Sequence, residues 1–345
     1  MSISWLLLAA SAVVVVLAGA RAPRSGPTLA RLEGSGWPGL PPGLRAPRPA
    51  RPGIEPAGPT SHERDAGIGE ASCLIDDPGF GAYERWERLD TGGAGSPAPG
   101  GRVLLPTALA PGPFDLVIHF HGSEAARQLL AEAGLPVVLA GVDAGEGGAV
   151  YEQALADPAA LESLVTAIEQ AATRKAGGDC RAAHVILSSW SAGYGAIRQI
   201  LQHDPERPSA LVLLDSLYAS YLPGTRHPDD AQMAPFVAAA ERAAAGNAPL
   251  VLTHSDIDTP GYASTAETAD YLIAALRGQR RYAGMLPAEG VEERTRFAQG
   301  LLEIRGYTGG DAPAHCANLR MLPGLLRELV LPALAPPAAG ASTPQ

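Results

Sequence analysis

Between Leu104 and Leu331 the sequence keeps returning to one figure, a short Val/Leu/Ile run followed by a longer amphipathic stretch. The runs are FDLVIHF (114–120), LPVVLAGV (135–142), AHVILSS (183–189), ALVLLD (210–215), PLVLTHS (249–255) and LLEIRGY (301–307). Several are continuously apolar rather than alternating, which is what a strand covered on both faces requires. The stretches between them carry helical marks. EAARQLLAEAG (124–134) ends on glycine, and DPAALESLVTAIEQAATRK (157–175) opens on Asp-Pro and closes on basic residues. YGAIRQILQHD, TAETADYLIAALRG and a segment from about 314 to 331 read as further helices. Strand and helix alternating this often imply an α/β fold, a three-layer α/β/α sandwich with a mostly parallel sheet. No internal repeat is visible.

Such a sheet hosts many chemistries, so motifs must choose among them. There is no G-x-G-x-x-G at the first helix and no G-x-x-x-x-G-K-[ST] anywhere, which disfavours dinucleotide and P-loop readings. The glycine cluster DAGEGGA (143–149) is acidic, would repel phosphate, and reads as a plain loop.

The ends of the chain differ from its middle. WLLLAASAVVVVLAGA (5–20) has the length of a signal-peptide apolar region, is short for a bilayer span, and ends in small residues suited to cleavage. Its basic residues follow rather than precede it, so residues 1–20 are expected to be a signal peptide or an N-terminal anchor. Residues 21–65 form a Pro/Gly/Arg-rich linker; 17 of residues 21–62 are Pro or Gly, above the level that marks low-complexity chain. Six Arg against two Glu give 21–62 a charge of +4, and with a whole-chain charge of −10 the remainder carries −14. An acidic main domain is a poor partner for nucleic acid. Residues 66–335 are expected to be the globular domain and 336–345 a flexible tail. The domain is expected to be exported: periplasmic, extracellular or attached to a membrane through the N-terminus. Three cysteines, Cys73, Cys180 and Cys316, leave open one bridged pair with one free thiol, or three buried thiols.

The chemistry concentrates where the third aliphatic run ends, at Ser189-Trp190-Ser191-Ala192-Gly193. A serine on a tight strand-to-helix turn needs small neighbours, projects its hydroxyl off the sheet, and is followed by a backbone N–H that can face an oxyanion. This stretch resembles the nucleophile elbow of the α/β-hydrolase family, with Ser189 in place of the first glycine. HFHGSE (119–124), at the end of an earlier strand, resembles the family's His-Gly signature. The resemblance, which spans about residues 100–331, implies an oxyanion hole from the N–H groups of Ser123 and Ala192. His121, Gly122 and Trp190 are then expected to border the substrate. It also implies a histidine after the last strand, and His315 lies there, beyond a Gly-Gly loop that would let the imidazole swing towards Ser191. Two carboxylates fit the chain order Ser, Asp, His: Asp258, past the strand PLVLTHS, and Asp215, at the end of ALVLLD, with Asp256 a poorer third. The sequence does not separate Asp258 from Asp215.

The leading expectation is an exported serine hydrolase. Ser191 attacks a carboxylic ester or amide, His315 is general base, an aspartate orients it, and no cofactor is needed. The substrate is a small-molecule, lipid or polymer acyl compound, and residues 218–248 are expected to form a lid or cap. Two other classes stand beside this. One is a non-catalytic binding protein of the same fold at the cell envelope, motivated by the Ser189 departure. The other is a metal-dependent hydrolase using His119 and His121, which would share one face if both lay in a strand. A thiol nucleophile at Cys316 is disfavoured, because adjacent residues point apart.

Overall fold

The computed structural model describes residues 70–91 and 99–335. The expectations for 1–20, 21–65 and 336–345 lie outside the described residues. Ten strands form one sheet: β1 (Glu87–Arg88), β2 (Arg102–Leu104), β3 (Gly112–Phe120), β4 (Val138–Val142), β5 (Cys180–Trp190), β6 (Ala210–Leu214), β7 (Leu250–His254), β8 (Arg281–Ala288), β9 (Val291–Gln299) and β10 (Leu302–Tyr307). Their order is β1-β2-β4-β3-β5-β6-β7-β10-β9-β8. The six from β4 to β10 are parallel, while β1 and β2 at one edge and β9 and β8 at the other run antiparallel to their neighbours.

Strand periodicity explains why the runs are apolar throughout. Successive side chains point to opposite faces, and both faces here are covered. Leu116, Ile118 and Phe120, with Leu211, Leu213, Leu250 and Leu252, enter one core. Val117, Val212, Leu214 and Val251 enter the other. The first core is closed by α2 (Gly148–Ala154), α3 (Ala160–Ala176), α4 (Tyr194–His203), α5 (Asp230–Ala244) and α6 (Thr265–Ala275). The second is closed by α1 (Ser123–Ala133), α7 (Ala312–Arg320) and the helical turns of residues 322–334. The chain is thus the three-layer α/β sandwich expected, with a mostly parallel sheet. Helix ends follow local chemistry. Gly134 stops α1 in the left-handed region, with φ 61°, and Ser264 and Glu267 form a reciprocal capping box at the start of α6.

Three features depart from expectation. The helix assigned to a lid, α5, is a layer helix: Met233, Phe236, Ala240 and Ala243 are fully buried in the core against the sheet, so an apolar face there covers strands rather than substrate. The loop read at 143–149 runs directly into α2, which buries Tyr151. The β8–β9 hairpin extends the sheet beyond the last parallel strand and was not foreseen.

Candidate active site

The carboxyl ends of β3, β5, β6 and β7 and the start of α7 meet at one edge of the sheet. Ser191 follows β5 directly, with φ 48°, and a 3₁₀ turn (Ser191–Gly193) leads into α4. A left-handed non-glycine residue costs about 1–3 kcal/mol and persists only where its surroundings over-determine it. They do so here. A Cβ on Gly193 would lie 2.1 Å from the Phe120 carbonyl oxygen, and one on Gly195 2.1 Å from the Gly148 carbonyl oxygen, so the turn is pressed against β3 and α2. Ser189 is fully buried. Ser216 Oγ donates to the Ser191 carbonyl (2.9 Å), so the 2.8 Å contact between Ser189 and Ser216 has Ser189 as donor. The unexpected serine ties β5 through β6 to the backbone of the elbow.

His315 sits in the first turn of α7 and is 3% exposed. The expectation of a base on a swinging loop is corrected: helix packing fixes it. Asp311 caps α7 by accepting from Ala314 N–H (3.1 Å), and Trp190 Nε1–H donates to the His315 carbonyl (3.1 Å). Trp190 also packs its ring on the imidazole, with centroids 4.5 Å apart. Cys316 is bonded to Cys73, which pins the same turn to the first described segment, while Cys180 is a buried free thiol.

Of the two carboxylates left open by sequence, geometry joins Asp215 to the histidine. His315 Nδ1–H donates to Asp215 Oδ2 at 2.7 Å, and Oδ1 accepts from Ser255 N–H (2.9 Å) and Thr265 Oγ1–H (2.6 Å). Asp215 is fully buried and adopts φ 42°. Burial pushes its pKa up, but the His315 hydrogen bond and charge, with Ser255 and Thr265, outweigh this and hold it below the ordinary carboxylate value. Asp258 is elsewhere, its side chain 80% exposed and 3.9 Å from Arg226. Asp256 pairs with Arg294. The expected place of Asp258 beside His315 is therefore corrected, because the loop after β7 carries it outward. With Nδ1 engaged, His315 Nε2 is the nitrogen left to take a proton. Among the described residues the Ser191 hydroxyl has no hydrogen-bond partner, His315 included; such contacts often tighten only with substrate bound.

The His-Gly segment also behaves differently from expectation. Gly122 N–H and Ser123 N–H both donate to Asp143 Oδ1 (3.0 and 3.2 Å), and the Ser123 hydroxyl bonds Oδ2. Glu70 accepts from the next two amides of α1, those of Glu124 and Ala125. Ser123 is buried against Gly141 of β4, where a Cβ would meet it at 2.4 Å. Its amide faces β4 rather than Ser191, which corrects its place in an oxyanion hole. The Ala192 amide, in the first turn after Ser191, lies where helices leave N–H groups without intrahelical partners. His121 lies past the end of β3 with φ 68°, so it does not share a strand face with His119. His119 is fully buried, contacts Ser188 Oγ at 3.0 Å, and burial lowers its pKa to about 4. Among the described residues no group of three or more His, Cys, Asp or Glu is placed to hold a metal.

Sequence reasoning missed Asp143, Glu70, Ser216, Thr265 and Tyr151. An acid directly after an apolar strand, as Asp143 is after β4, was the one local signal among them.

No protein-family model matches the sequence, and no curated protein matches it. Among solved structures the fold is similar to an enterochelin esterase from Shigella flexneri, at 14% identity and a TM-score of 0.44, over 71% of this chain and 57% of that one. It is also similar to a truncated carbohydrate esterase from gut microbiota, at 9% identity and a TM-score of 0.45, over 74% of this chain and 99% of that one. The chain thus spans little more than half the length of the enterochelin esterase.

Proposed function

We propose that the chain is a serine hydrolase that cleaves a carboxylic ester through an acyl-enzyme on Ser191. The observation that carries this reading is the buried His315–Asp215 pair at 2.7 Å beside a serine held at φ 48° on a strand-to-helix turn. In the first half-reaction His315 Nε2 takes the Ser191 proton as Oγ bonds to the carbonyl carbon. The carbonyl electron pair moves onto oxygen, then returns as the alcohol leaves with the proton from Nε2. Water repeats the sequence and frees the acid. Asp215 keeps Nδ1 protonated and stabilises the imidazolium between steps. Export is part of the same proposal, supported by a Cys73–Cys316 disulfide of the kind that persists in oxidising compartments.

The unbonded Ser191 hydroxyl favours a second reading, a binding protein on the same fold. A fluorophosphonate probe separates the two. The hydrolase reading expects labelling mapped to Ser191 and lost in a folded Ser191→Ala variant. A well-folded wild type that takes no label, and turns over no small acyl ester, would leave the binding reading.

A further inference from the structure

An oxyanion needs more than one donor in most acyl-transfer sites, and the amide expected to share that duty with Ala192, that of Ser123, is spent on Asp143, as is the amide of Gly122. The amide of His121 is spent as well, donating to the Val142 carbonyl at 3.2 Å. The side chain of His121 is differently placed. Phe120 is the register partner of Ser189, so His121 emerges one step further along, opposite the approach to Ser191. Its left-handed φ turns the ring across the strand ends. There it lies between Trp190, stacked at 5.4 Å and 20°, and Tyr151, whose hydroxyl is 2.9 Å from Nδ1. Trp190 is the chain neighbour of Ser191 and packs on His315, so the His121 imidazole is stacked on the ring that links the nucleophile's neighbour to the general base.

The tautomer is set by the partner of Nδ1. Where the Tyr151 hydroxyl, 2.9 Å away, donates to it, Nδ1 is the acceptor. The ring proton is then on Nε2. Burial keeps the pKa of His121 below its ordinary value, so the ring is a neutral donor at pH 7.

We propose that the His121 imidazole, through Nε2–H, is the second oxyanion donor beside the Ala192 amide, with Tyr151 as the residue that positions it. This rests on the serine-hydrolase reading. As Oγ of Ser191 bonds to the carbonyl carbon, the π pair moves onto oxygen, the serine proton goes to His315, and His121 donates a hydrogen bond without giving up its proton. When the pair returns and the leaving group departs, His121 is unchanged.

The test compares His121→Leu, which removes the donor, with His121→Gln, which keeps an N–H at similar reach. The readouts are kcat and KM on a small acyl ester, inhibition by a trifluoromethyl ketone that binds Ser191 as an alkoxide, and fluorophosphonate labelling of Ser191. His121→Leu is expected to lower kcat by about 10²–10³-fold with KM within about threefold, and to weaken the ketone by a matching factor. His121→Gln is expected to recover at least tenfold of that loss. A His121→Leu enzyme with kcat and ketone affinity near wild type, and Ser191 still labelled, would overturn the donor role alone. A wild type that never labels overturns the hydrolase reading and this one with it. Should His121→Leu fail to fold, Tyr151→Phe carries the test. It leaves Nδ1 without its donor and is expected to lose about tenfold in both kcat and ketone affinity at constant KM. No change in either would refute the assignment.

Discussion

Seven non-glycine residues among those described have positive φ, and they form two groups. His121, Ser191, Asp215 and Leu217 stand at the carboxyl edge of the parallel strands; Arg277, Met285 and Glu289 belong to the β8–β9 hairpin and its approach. The backbone cost is similar in both, but what sustains it is not. In the hairpin the neighbours are local: Gly284 and Gly290 share the left-handed region, Glu289 is exposed, and Tyr282 and Leu286 are 68% and 50% exposed. At the sheet edge each strained residue is held from far along the chain. Ser191 is clamped from Ser216, Asp215 is bonded by Ser255, Thr265 and His315, and His121 is enclosed by Tyr151 and Trp190. Strain shared by long-range partners fixes side chains at the proposed site, whereas strain relieved by adjacent glycines only turns the chain.

The largest test of that contrast is Asp215→Asn, which keeps the shape but reverses the hydrogen-bond sense at His315. It is expected to cut kcat by about 10⁴-fold, while Asp258→Asn, in the exposed loop, changes it by less than about threefold. The same variant has a pH signature. Because the folded pKa of Asp215 lies below the unfolded 3.8, its stabilising contribution is full above about pH 4 and lost as pH falls through the folded value. Wild type and variant should therefore differ most in denaturant unfolding near neutrality and converge in acid. Next in size is Ser189→Ala, which removes the donor to Ser216 beneath the elbow. A loss of about 1 kcal/mol in unfolding free energy is expected, against less than about 0.5 kcal/mol for Tyr282→Ser in the hairpin. The smallest effect is at Glu289→Gly. Relief of the left-handed backbone, less the added entropy of the unfolded chain, is expected to raise stability by about 0.5 kcal/mol. Ser191→Gly relieves the same kind of strain and, on the proposed mechanism, is expected to abolish turnover of a small acyl ester.

The same division runs through what could be read from sequence. The parallel strands were legible because burial on both faces demands continuous Val, Leu and Ile, and α1 and α3 were legible because their end signals are local. The β8–β9 hairpin was not, since β9 turns Glu293, Thr295 and Phe297 inward and carries Arg294 and Arg296 between them. No apolar alternation marks it. At the site, the elbow and His315 could be located from short motifs and their order along the chain. The choice between Asp215 and Asp258 could not, because it depends on Ser255 and Thr265, 40 and 50 residues from Asp215. Ser123 was misplaced for a related reason: its motif is local, but Asp143, which captures its amide, comes from the next strand's end.

The disulfide between Cys73 and Cys316 has a topological consequence. It joins positions 243 residues apart, so nearly the whole described domain lies within one covalent ring. Closing a loop of that size removes about 5 kcal/mol of chain entropy from the unfolded ensemble. A ring also tolerates being opened somewhere else. A single cut at the exposed β8–β9 turn, between Leu286 and Gly290, would yield two segments that remain one molecule until a reductant reaches the bridge. Ser191 and Asp215 would lie on one segment and His315 on the other, so the proposed catalytic machinery is a seam between two halves of the chain, stitched covalently one residue away from its base.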